Sequence, residues 1–141
     1  MAIRIRTRWI DELDVMGYDA EGHSVLMSNS EYADGVKKGI APMEAVLYAL
    51  AGCTSMDVVS IMEKKRIKFT GLEVVIEAER AEEHPKVYTK VCMEYIVRGQ
   101  GLDNNGVERA VQLSQEKYCP VSAMLKAAGV DVSYRITLEE E

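Results

Sequence analysis

Pro42–Arg66 reads PMEAVLYALAGCTSMDVVSIMEKKR, with Cys53 near its middle. Pro42 suits the first position of a helix, where its fixed φ is already helical and its missing N–H has no partner to lose. Glu44 falls in the first turn, and Lys64, Lys65 and Arg66 fall at the far end, each matching the helix dipole in sign. At about 100° per residue, Val46, Ala49, Asp57, Ser60 and Lys64 share the face of Cys53. Leu47, Leu50, Val58, Val59, Ile61 and Met62 spread round the other sides. A helix apolar on most faces is a buried helix, so residues 42–66 read as a central rod with a thiol on its narrow, small-residue side. Two readings of that thiol stand: an inert core cysteine, free Cys being among the most buried residue types, or a reactive one. A membrane span is the weaker reading of the helix, because Glu44, Asp57 and Ser60 interrupt the apolar run.

The bounds around this segment are those of a soluble domain. A chain of 141 residues is long enough to bury a core and short enough for one domain. The net charge of −6 speaks against generic nucleic-acid binding. The opening MAIRIRTRW alternates charged and apolar residues and lacks a hydrophobic h-region, so no secretory leader is expected. Cys53, Cys92 and Cys119 are too few and too scattered for a disulfide scaffold, and with only His23 and His84 beside them no metal site or other cofactor is expected. A reducing cytoplasm is the expected compartment.

Upstream, residues 1–40 read as N-terminal strands and a loop. Ile3, Ile5, Thr7 and Trp9 alternate with Arg4, Arg6 and Arg8, the pattern of a half-buried strand over residues 3–9. A second strand near Val15–Tyr18 and a hairpin loop containing His23 lead into Ser24–Met27. Ser28–Gly39 is polar and reads as a surface loop. Downstream, residues 71–98 form a long hairpin. Its first strand points Leu72, Val74, Ile76 and Ala78 inward, and its second points Val87, Thr89, Val91, Met93 and Tyr95 inward. Cys92 falls on the opposite face with Lys90 and Glu94, as a bystander. Residues 105–128 hold two helices: Asn105–Tyr118, on which Val107, Ala110, Val111 and Ser114 recur at helical spacing, and Val121–Ala128 after Pro120. Residues 130–138 alternate as a final strand, and the acidic tail 139–141 is expected to fray. The whole is a single α+β domain over residues 1–141.

Cys119 has the clearer local case for reactivity. With Pro120 at the first helical position, Cys119 sits at or near an N-cap, where helix N–H groups and the dipole favour a thiolate. Cys53 sits mid-helix, and Asp57 one turn on opposes its ionisation. Spacing does not say whether the two thiols meet.

APMEAVLYALAGCTSMDVV and EKYCPVSAML, in this order and separation, resemble the two signature segments of the OsmC/Ohr family, and the similarity extends over essentially the whole chain. The resemblance implies an OsmC-like fold, an intertwined homodimer whose antiparallel sheets wrap a pair of long central helices, with active sites at the subunit interface. It implies that Cys53 attacks an organic hydroperoxide and becomes a sulfenic acid. Cys119 then condenses with it to a disulfide, which an external dithiol reductant opens, the whole serving oxidative or osmotic stress defence. This reverses the local ranking of the thiols. Ohr-type members carry a carboxylate where this chain has Met43, and an arginine in the first hairpin, whereas residues 11–23 here contain none. The chain therefore resembles a divergent OsmC-like branch. Glu44 and Asp57 are the candidates for a supporting role, Glu44 being read first as a first-turn carboxylate. An alternative function is a non-catalytic protein of the same fold, binding a small apolar ligand in an interface pocket lined by Met43, Leu47, Met56 and Met124. Neither reading involves nucleic acid, a membrane or a metal.

Overall fold

The computed structural model describes residues 2–29 and 37–141. The elements run β1 (Arg6–Asp11), β2 (Asp14–Tyr18), β3 (Ser24–Ser28), α1 (Pro42–Lys64), β4 (Phe69–Arg80), β5 (Tyr88–Gly99), α2 (Asn104–Leu113), a single π turn (Ser114–Tyr118), α3 (Pro120–Ala127) and β6 (Asp131–Glu140). The chain clusters into two compact units, Met1–Tyr48 and Ala49–Glu141. The polar loop expected over Ser28–Gly39 lies largely outside the described residues.

In the first unit β1, β2 and β3 form an antiparallel sheet in chain order. Its first strand was expected to be half-buried, but every residue of β1 is exposed, and Ile3 and Trp9 are 92% and 67% exposed. The apolar face of the alternation is real, yet nothing described in its own unit covers it. Glu44 caps the start of α1, accepting the Ala41 N–H at 3.0 Å and pairing with Lys37. These contacts hold its carboxyl below the ordinary range, the Lys37 hydrogen bond being the largest cause.

In the second unit β5 is the central strand, antiparallel to β4 and parallel to β6, so this sheet is mixed rather than wholly antiparallel. The parallel pairing requires a long crossover, which α2, the π turn and α3 supply. Val91, Met93, Tyr95 and Val97 of β5 are fully buried, as are Leu50, Thr54, Val58 and Met62 of α1. The α1 residues recur every fourth position and form one stripe, packed towards β5 through a hydrogen bond between Thr54 and Tyr95. Val107, Ala110, Val111 and Ser114 complete this core from the crossover.

Three sequence expectations need correction here. At the start of β5, Tyr88 faces in, and Thr89 and the preceding Val87 are exposed, because the register shifts between Glu79 and Arg80, which inverts the alternation at that end. Helix α2 begins at Asn104 rather than Asn105, and Asp103 caps it by accepting the Gly106 N–H at 3.1 Å. Glycine at 106 leaves room for this cap: a Cβ there would meet Asp103 Oδ2 at 2.7 Å and Ile67 Cδ1 at 2.8 Å, so both side chains would have to shift. The acidic tail does not fray: β6 runs to Glu140, whose carboxylate accepts the Gly101 and Leu102 N–H groups at 3.0 and 3.3 Å. Arg98 donates to Glu139 at 2.7 Å, and Thr70 to Glu141 at 2.8 Å.

Candidate functional site around Cys53 and Cys119

The α-helical hydrogen bonding expected up to Tyr118 stops at Leu113. The next five residues form a π turn, closed by Cys119 N–H donating to Ser114 O at 2.8 Å. Proline ends the turn. In π register the next donor, to Gln115 O, would be residue 120, and Pro120 has no N–H. Lys126 Nζ supplies the missing proton at 2.9 Å. Cys119 is thereby left extended at the N-cap of α3, its Sγ accepting the Ser122 N–H at 3.4 Å.

The structure brings the two thiols, far apart in sequence, close enough for Cys53 to bear on the Cys119 thiol. Their settings differ. Cys53 is half-buried, whereas Cys119 is 3% exposed. Burial pushes the Cys119 thiol above its ordinary range, the Ser122 N–H pulls against this, and the adjacent Cys53 thiol adds to the rise. The N-cap position alone pointed the other way; desolvation outweighs the helix terminus at this site. All three cysteines are free thiols, and Cys92 lies on the other face of β5, between Glu77 and Ser133 of the flanking strands.

Beneath the thiols runs a buried polar chain that periodicity did not disclose. Thr54 Oγ1 lies 2.7 Å from Tyr95 OH and 2.7 Å from Ser114 Oγ, and Ser114 donates to Asp57 Oδ2 at 2.8 Å. Gln115 Nε2 donates to Tyr95 OH at 2.7 Å and to Thr54 Oγ1 at 3.2 Å, while its Oε1 accepts from Ser122 Oγ at 2.8 Å. Proton counting orders the hydroxyls. Ser114 has given its one hydrogen to Asp57, so Thr54 donates to Ser114 and Tyr95 to Thr54, while the Gln115 amide fills the remaining acceptor site on Tyr95. Burial pushes the Tyr95 phenol up to about 12, against its hydrogen bonds to Thr54 and Gln115, with the nearby Cys119 adding to the rise. One sequence signal was available: the α2 periodicity already put Ser114, a polar residue, on the buried face.

Asp57 thus acts as the terminal acceptor of this chain. Of the four residues expected to line a ligand pocket, Met43 and Leu47 are half-buried in the first unit, while Met56 and Met124 are 74% and 63% exposed. Met56 lines an open groove of about 490 Å³ with Asp57, Ser60, Ile61, Lys64, Lys65, Leu113 and Tyr118. Among the described residues no group of three His, Cys, Asp or Glu is gathered as metal ligands would be.

A family model described as OsmC-like protein matches residues 35–135. Protein YhfA of Escherichia coli (strain K12) is 40% identical over 135 residues, spanning 95% of this chain and 98% of YhfA. The fold matches the crystal structure of an OsmC-like protein from Mycoplasma pneumoniae with a TM-score of 0.83 at 13% identity, covering 98% of this chain and 97% of that one. It also matches the organic hydroperoxide resistance protein OhrB of Bacillus subtilis with a TM-score of 0.64 at 14% identity, covering 99% and 98%. The chain belongs to the OsmC-like family.

Proposed function

We propose that this protein is a cysteine-dependent peroxidase that reduces organic hydroperoxides, working as a homodimer in a reducing cytoplasm and serving oxidative or osmotic stress defence. The observation that carries the reading is that Cys53 and Cys119 stand at one site: the Gln115 amide bonds both Thr54, the neighbour of Cys53, and Ser122, whose N–H meets Cys119 Sγ, and Cys53 bears on the Cys119 thiol. Two free thiols at one site, one half-buried and one buried, are what a dithiol–disulfide cycle needs in its reduced state. The difference in exposure supports the order of events. Cys53, half-buried, is the sulfur a hydroperoxide reaches first, and Cys119, nearly inaccessible, is held to one partner.

In the first step the Cys53 thiolate attacks the distal peroxide oxygen. An S–O bond forms, the O–O bond breaks, and the alkoxide takes a proton and leaves as the alcohol, with Cys53 as sulfenic acid. In the second step the Cys119 thiolate attacks the Cys53 sulfur. The S–S bond forms and hydroxide leaves, taking a proton to become water. An external dithiol then reopens the disulfide by exchange. Asp57 does not touch either sulfur in this scheme; it anchors Ser114 and so the start of the π turn.

The test is turnover of cumene hydroperoxide with dihydrolipoamide as reductant. Cys53→Ser should abolish it, Cys119→Ser should leave Cys53 trapped as sulfenic acid or over-oxidised, and Cys92→Ser should change little. Full activity in Cys53→Ser rejects the mechanism. Absence of turnover in the wild type, together with saturable binding of an apolar ligand, would favour the non-catalytic alternative.

A further inference from the structure

Gln115 is 4% exposed and belongs to the π turn itself, yet its side chain reaches three other elements. It donates to Thr54, the neighbour of Cys53 on α1, and to Tyr95 on β5, and it accepts from Ser122 on α3. Ser122 is also the residue whose backbone N–H meets Cys119 Sγ. One amide therefore ties the residue beside the first cysteine to the residue that holds the second. Both ends of the amide are satisfied, so its position is fixed by bonds from both sides rather than by packing alone.

Resting on the peroxidase reading of the site, we propose that Gln115 is a positioning residue for the resolving step: it holds Cys119 against Cys53 so that the disulfide closes before the sulfenic acid is over-oxidised. It touches neither sulfur. Its effect falls on the encounter of two sulfurs, which depends steeply on placement, and not on the attack of Cys53 on the peroxide. The bond changes are those of the second step above: S–S formed, S–O broken, hydroxide released and protonated to water.

The two steps separate in a single-turnover experiment on protein carrying Cys92→Ser. Oxidation of Cys53 is started with cumene hydroperoxide, sulfenic acid is trapped with dimedone at increasing delays, and disulfide is read by mass. Gln115→Leu should slow disulfide formation by about ten- to a hundredfold, raise the sulfinic acid fraction, and leave the rate of Cys53 oxidation within about twofold. Ser122→Ala, which removes only the Ser122 hydroxyl and keeps the backbone N–H on Cys119, should show the same split with a smaller effect. A merely structural role would move both steps together or neither. Disulfide formation at the wild-type rate in folded Gln115→Leu or Ser122→Ala, or equal losses in both steps, overturns the proposal. A parallel arm closes the pair with diamide, which needs no peroxide. If the wild type fails with hydroperoxide but closes with diamide, the peroxidase reading falls. The positioning role is then judged on the diamide rates alone: a tenfold slower closure in Gln115→Leu supports it, and an unchanged rate overturns it.

Discussion

Thr54 makes three hydrogen bonds with one hydroxyl, to Tyr95, Ser114 and Gln115, and is fully buried. Thr54→Val keeps the shape and leaves three buried polar groups short of a partner. Urea unfolding should show a loss of about 2–3 kcal/mol; a loss under about 0.5 kcal/mol would mean the chain is not held as drawn. Tyr95 adds a pH dependence. Its folded pKa of about 12 lies above the unfolded phenol's value of about 10, so the folded state holds the extra proton in that window. Its contribution, on the order of 2–3 kcal/mol, is fully present below pH of about 10 and lost as pH rises towards about 12. Tyr95→Phe should flatten this part of the stability curve. Cys119 sets a kinetic pH dependence. Its thiol is raised by burial, so disulfide closure should accelerate with pH and level off only above the ordinary thiol range. A midpoint below that range would contradict the burial argument. The two cysteines were legible from EKYCPVSAML and the segment around Cys53, because family signatures sit on them. Their relative reactivity was not, since an N-cap is visible in a sequence and the desolvation opposing it is not. Gln115 was missed for the same reason: its partners come from three separate elements.

At the scale of elements, α1 was readable almost to the residue, ending at Lys64 rather than Arg66, because Pro42, Glu44 and the terminal basic cluster are local signals. Most failures were places where a partner outside the element decides. The inversion on β5 comes from a register shift against β4, the carbonyl left open at the end of the π turn is met by Lys126, and the ordered C-terminus comes from backbone N–H groups at Gly101 and Leu102. The last of these gives a test. Glu140→Ala should cost only about 1 kcal/mol, since the bonds are exposed, but it should raise amide exchange selectively at Gly101 and Leu102. Unchanged protection at both amides would show that the tail carries no such role.

For the whole molecule, the conspicuous property is apolar surface left bare in a single chain. Only one stripe of α1 is buried, although the helix is long and apolar enough to cross a membrane, with a mean hydropathy of 1.6 over an 18-residue window within it. Tyr48 and Met56 on that helix are 61% and 74% exposed, and Ile3, Ile5 and Leu13 are bare as well. Such surface marks a contact area, and a second copy of the chain is the partner that the homodimer proposal supplies. Light scattering at micromolar concentration should give twice the chain mass, with more than about 2,000 Å² buried in total, and Met56→Asp should weaken it. A stable monomer of the wild type would sink this.

The ordered hydroxyls of Tyr95, Thr54 and Ser114 have one further consequence, which is spectroscopic. Hydroxyl protons in proteins normally vanish into the water signal because they exchange too quickly. Here three of them stand head to tail, the last bonded to a carboxylate. They should appear as separate, slowly exchanging lines in a proton spectrum of the reduced protein. Thr54→Val should erase the Thr54 line and shift the other two, so the molecule would carry its own native label for the ground on which the two sulfurs meet.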